Sequence, residues 1–217
     1  MAAHTRKGCA RAMSARTAQR KDTIMIGIRP GADVREGYVR NITRAYAAAT
    51  TDQRARGKAW YQTAHELAGM MADGHPVKGA GVIAALSANK SWSGNKRLAA
   101  DALTGNVHGT FADALRKAAA IIAGADPATV LPMALKTGHF YRCIADPADP
   151  DAVVIDRHAH DVAAGEVYGS ANRGLSNPGR YAMLAHCYRE AGLRLGELAS
   201  TIQAVTWVAH TERTRSS

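Results

Sequence analysis

At 217 residues the chain can build one well-buried core, or at most two small lobes sharing an interface. Its hydrophobic content of 47% is ordinary for a globular protein, but no run of about 18 apolar residues occurs, which excludes a membrane-spanning helix. Three cysteines without CxxC spacing, Cys9, Cys143 and Cys187, exclude a disulfide framework and a cysteine-rich metal site and fit a reducing cytoplasm, while 28 Lys and Arg against 18 Asp and Glu give a formal charge of +10 and a pI near 9.9, the footprint of a surface that neutralises phosphates.

Six cations (Arg6, Lys7, Arg11, Arg16, Arg20 and Lys21) fall in the first 21 residues with no acid among them. No apolar stretch follows, so this is not a secretory signal. Residues 1–30 therefore read as a flexible basic arm, closed by the turn signal Arg29-Pro30-Gly31. Helical spacing then runs from about Val34 to Ala49. Thr51-Asp52 can cap a second helix with Ala59, Trp60, Ala64, Leu67, Ala68 and Met71 on its apolar positions, broken at Gly74-His75-Pro76. Residues 80–88 are apolar all round, which predicts a buried helix. A polar loop, Asn89 to Gly94, leads to a helix from Lys96 to Leu103, and another runs from Phe111 to Ile122.

Asp126-Pro127 is a cap-plus-proline pair for a short helix reaching about Leu135, with Lys136 to Ile144 helical behind it. After the Pro- and Asp-rich stretch 146–151, Val153–Ile155 reads as extended, and Asp156 opens a helix that ends near Gly165. Asn177-Pro178 repeats the cap signature for a helix to Ala191, and residues 196–209 form the last. With no β-hairpin and no internal repeat, the prediction is an all-α fold of about ten helices, with residues 31–217 as a single domain.

Three segments carry chemistry. Leu86-Ser87-Ala88-Asn89 ends a buried helix and is followed, across a short polar loop, by Asn95-Lys96. Leu131-Pro132-Met133-Ala134-Leu135-Lys136-Thr137 precedes a helix, and Val154-Ile155-Asp156-Arg157-His158-Ala159 brings an apolar run to a carboxylate at a helix start. In this register the three segments resemble the helix-hairpin-helix DNA glycosylases. That resemblance implies a two-lobed helical fold with a cleft between the lobes. It also implies a monomer that binds double-stranded DNA, turns a modified base out of the duplex and cleaves its N-glycosidic bond, leaving an abasic site.

On the same resemblance, Asn89 fills the gap left by the base, with Trp92 as a stacking partner, and Asp156 is the catalytic carboxylate. Bond breaking develops positive charge on the sugar, which a fixed carboxylate stabilises. Lys136 falls where some members place an amine that attacks the sugar, provided its pKa is depressed. The family's hairpin glycines are replaced by Met133 and Leu135, so a true hairpin is missing or remodelled, and DNA grip must come from Lys90, Lys96, Arg97, Arg142, Asn95 or the basic arm. The cysteine count excludes the four-cysteine iron–sulfur cluster that some members carry.

A wider pattern, from Gly57-Lys58-Ala59-Trp60-Tyr61 through residues 81–87 and Phe140-Tyr141 to Asp156, is similar to divergent phage and actinobacterial members of that superfamily associated with hypermodified bases. It implies a pocket lined by Trp60, Tyr61, Phe140 and Tyr141, with His158 bracing the helix, and a role in excising such bases in repair or antiphage defence. The alternatives are an enzyme of base hypermodification on the same scaffold, or a non-catalytic DNA-binding module. His158 and His160 point apart on a helix, so neither a metal nor another cofactor is expected; no phosphate-binding loop or G-x-S-x-G elbow occurs.

Overall fold

The computed structural model describes residues 30–215. The basic arm expected over residues 1–30 lies outside them except for Pro30. The fold is all-α. Ten helices and no strand are present among the described residues: α1 (Ala32–Ala47), α2 (Thr51–Met71), α3 (Pro76–Ala85), α4 (Trp92–Leu103), α5 (Ala112–Ile122), α6 (Pro127–Val130), α7 (Lys136–Ala145), α8 (Arg157–Ala164), α9 (Pro178–Leu195) and α10 (Ala199–Arg215).

Local chemistry accounts for most boundaries and for the departures from expectation. The cap of α2 is Thr50, one residue before the expected pair, in a reciprocal capping box with Gln53. Pro76 at the first turn lets α3 begin four residues before Ala80, and the helix ends at Ala85 rather than Ala88. Ser91 caps α4, which therefore starts at Trp92 instead of Lys96. Helix α6 stops at Val130, short of Leu135, because Pro132 forces the residue before it out of the helical region: Leu131 sits at φ −89°, ψ 149°. Gly196, expected to open the last helix, instead closes α9 in the left-handed conformation at φ 66°.

The buried side chains form two clusters. One gathers α2, α3, α4, α5 and α7 around the wholly buried stretch Gly79–Ala85; the other gathers α1, α8, α9 and the start of α10. The segment 152–155 lies at their junction. Its backbone is extended, so successive side chains point to opposite sides. Ala152 and Val154 join the first cluster, while Val153 and Ile155 join the second. Helix α10 runs along α2 and also serves both clusters, giving Ala204 to the first and Ile202 and Val205 to the second.

The α2–α10 crossing depends on one missing side chain. A Cβ placed on Gly57 would lie 2.5 Å from Val205 Cα and 2.7 Å from its backbone nitrogen, so α10 would have to move bodily. Gly57→Ala should lower the unfolding free energy by about 2–3 kcal/mol, as overpacking against backbone does. Urea unfolding monitored by circular dichroism measures it; an unchanged midpoint would show that the two helices slide apart freely.

Candidate functional site

Asp156 emerges where the two clusters meet. The run that carries it is fixed by side chains from other elements. Val153 N donates to His139 Nδ1 at 3.2 Å, Ile155 N donates to the Tyr181 hydroxyl at 3.0 Å, and that hydroxyl donates to Val153 O at 2.9 Å. This extended segment has no sheet to satisfy its backbone, so Tyr181 and His139 take the place of a neighbouring strand. Burial and the Arg142 and Arg189 charges bring the His139 pKa down to about 4, which keeps its ring neutral and Nδ1 free to accept.

As the cap of α8, Asp156 accepts from His158 N and Ala159 N, both at 2.9 Å and both through Oδ1. Its other oxygen is not used by the cap. Two connected cavities meet at this carboxylate. The inner one has a volume of about 120 Å³ between Trp60, Tyr61, Trp92 and Phe140, with Asn95 and Gln203 among its polar lining. The outer one is a larger cleft of about 1130 Å³, bordered by Asn89, Lys90, Lys136, Arg157, His158 and Trp207. Asp156, Lys136, Lys90 and Trp92 line both. Lys90, Lys136 and Arg157 face a single carboxylate along the outer cleft, so its local field is positive.

The inner pocket has an aromatic wall. The Trp60 ring lies 5.0 Å from Trp92, 4.8 Å from Tyr61 in an edge-on arrangement, and 6.0 Å from Phe140. Trp60, Trp92 and Phe140 pack on one another yet are only partly buried, and all three line the cavity. Lys96 Nζ sits 5.7 Å from the Trp92 ring centroid, a cation–π contact that braces the loop helix. Asn89 is exposed at the tip of that loop with φ +55°, a left-handed position that asparagine tolerates better than most side chains.

The structure does not bring every expected residue to the cleft. Arg142 is taken up by a two-pronged pair with Asp149, both contacts at 2.8 Å, which fastens the 146–151 turn. Arg97 is exposed on α4 and borders neither cavity, and Tyr141 packs into the first cluster. His158 borders the outer cleft, its ring 5.5 Å from His210 and 6.3 Å from Trp207; burial lowers its pKa, offset in part by Asp156. Asp161 is buried and held by the Arg173 guanidinium through two 2.7 Å contacts and by His160, so its carboxylate anchors the loop after α8. The turn over 131–135 contains no left-handed residue and closes directly over Gly138, where a Cβ would meet Met133 Cα at 2.2 Å.

Sequence reasoning missed Gln203 and Trp207, which α10 delivers to the pocket. Together with Thr211 and Thr214 they form one helical stripe, at spacings of four, four and three, facing the cleft. A polar side chain and a tryptophan one turn apart in an otherwise buried helix were the available signal.

This chain belongs to DUF7178, a family of unknown function whose model matches residues 28–214. No curated protein and no solved structure matches it. Among the described residues, no helix is long and apolar enough to cross a membrane.

Proposed function

We propose that the protein is a DNA glycosylase, a divergent relative of the helix-hairpin-helix enzymes, that excises a modified base from duplex DNA. On this reading the two buried clusters are the cores of two lobes, and α6, the 131–135 turn and α7 replace the family's hairpin in degenerate form. The observation that carries the proposal is the position of Asp156: a rigidly held carboxylate with one oxygen outside its helix cap, where a large cationic cleft meets a smaller aromatic pocket.

The duplex lies along the outer cleft with its phosphates against Lys90, Lys136 and Arg157, and the Asn89 turn occupies the space the base leaves. The extruded base stacks among Trp60, Trp92 and Phe140. Its sugar then stays at the threshold beside Asp156. The bond from C1′ to the base nitrogen breaks with its electron pair leaving on the base, and the carboxylate stabilises the cationic sugar. Water adds to C1′ and gives up a proton, and the base nitrogen takes one up, leaving an abasic site. If Lys136, at the threshold, attacks C1′ in place of water, strand cleavage follows.

The test is incubation with duplexes from phages carrying natural and hypermodified bases, scored for abasic sites and, by mass spectrometry, for released base. Abasic sites with a matching free base are expected in at least one DNA. An altered nucleoside with no free base would replace excision by base modification on the same scaffold, and intact DNA throughout, despite binding, would leave a binding module.

A further inference from the structure

Two buried amides in the inner pocket have hydrogen-bonding capacity that the protein does not use. Asn95 is 2% exposed; its Nδ2 donates to Ile83 O at 3.0 Å, while Oδ1 is buried without a partner. Gln203 is 4% exposed; its Oε1 accepts from the Tyr61 hydroxyl at 2.8 Å, and its Nε2 makes no hydrogen bond among the described residues. Both side chains line the inner cavity. Asn95 is pinned by a carbonyl that only an N–H can meet, so it cannot flip. The Tyr61 hydroxyl can donate or accept, so the Gln203 amide can turn either end to the cavity. The cavity is therefore bordered by a fixed, unpaired acceptor, Asn95 Oδ1, and by one free end of the Gln203 amide. Buried acceptors in native proteins are almost always paired, so an orphan beside a cavity points to its occupant.

We infer that Asn95 and Gln203 read the pairing edge of the base in the pocket, Asn95 accepting from a base N–H and the free end of the Gln203 amide meeting the neighbouring group on the same edge. This rests on the base-extrusion reading above and narrows it. The aromatic walls accept any flat ring, because every base has a π-face, so discrimination falls to the two amides. The substrate keeps its pairing edge intact and carries its modification elsewhere on the ring. Bases methylated on the pairing-edge nitrogens are refused, because a methyl group there leaves Asn95 Oδ1 unpaired.

The chain's three tryptophans, Trp60, Trp92 and Trp207, all line this pocket, so intrinsic fluorescence reports its occupancy directly. The probes are two base pairs of analogues: 1-methyluracil with 1,3-dimethyluracil, and 9-methyladenine with its form doubly methylated on the exocyclic amine. In at least one pair the member with the free edge should quench saturably, with a midpoint at least about tenfold below that of its blocked partner, the scale set by one unmet buried hydrogen bond. Gln203→Glu keeps an acceptor for Tyr61 but removes the amide's N–H donors and places a carboxylate against the base edge, and should erase most of that binding while the folded signal persists. Equal quenching by both members of each pair, or no quenching by either free-edge probe, overturns the edge-reading. Base release from phage DNA is scored separately. Edge preference without release would leave this inference standing and remove the glycosylase chemistry; release without edge preference would do the reverse.

Discussion

Asp156→Asn should cut base release at least about a hundredfold while leaving DNA affinity and fold nearly intact. The rate loss follows from charge. A neutral amide offers little stabilisation to a cationic sugar, and removing a group aimed at developing charge costs rates of that order. Retention of the fold follows from the cap. The bonds from His158 N and Ala159 N both go to Oδ1, and asparagine caps helices about as well as aspartate. The substitution therefore separates chemistry from architecture, which alanine would not, since it removes the cap as well. Single-turnover release from the responsive DNA, binding by fluorescence anisotropy and a thermal melt make the three measurements. Release at the original rate would remove Asp156 from the reaction.

What the sequence disclosed about this site was what lay close together along the chain. The apolar run ending at Asp156 marked a held carboxylate, and the change from apolar to polar residues after Ala88 marked the Asn89 turn, because each is a change of pattern within a few residues. The Asp-Pro and Asn-Pro signatures at 126–127 and 177–178 set the starts of α6 and α9 for the same reason. The partners that complete the site are remote. Tyr181 reaches back 26 residues to Ile155, and Gln203 meets Tyr61 across 142. No local periodicity encodes those meetings; they follow from α10 running along α2 and from α9 closing over the extended segment. Arg142 shows the converse. A cation near a basic cleft in sequence was claimed by Asp149 seven residues away, a turn brace that composition alone would assign to phosphate.

Asn95 shows how one residue serves both levels. Its Nδ2 ties the first turn of α4 to the end of α3 through Ile83 O, fixing the loop that carries Asn89 between them. Its other end, Oδ1, is buried without a partner beside the inner pocket. The turn at the cleft and the pocket behind it thereby share a single side chain, so under the proposed function the placing of the duplex and the recognition of the extruded base are coupled.

The hydrogen bonds that hold residues 153–155 should make both stability and base release depend on Tyr181 and His139, with a defined pH window. Tyr181→Phe strips the partner from Ile155 N and Val153 O inside the core and should lower stability by about 2–3 kcal/mol. It should also slow base release at unchanged DNA affinity, because the carboxylate at the end of the run loses its placement. For His139 the sign follows from its direction of shift. Burial lowers the folded pKa to about 4 from the ordinary 6.5, so between those values the unfolded chain takes up a proton that the folded one does not. The contribution of the neutral ring is whole above pH 6.5 and is lost as the pH falls towards 4, with roughly 2 kcal/mol gone by pH 5. Protonation there would also turn the acceptor of Val153 N into a donor. Urea unfolding between pH 7.5 and 5 should therefore show a steeper decline for the native chain than for His139→Gln, which keeps an acceptor but does not titrate. The native slope also includes His158, His160 and His210, whose pKa values burial lowers as well, so the difference between the two chains isolates His139. Parallel slopes would mean that His139 is not the group whose neutrality keeps the Asp156 segment in place.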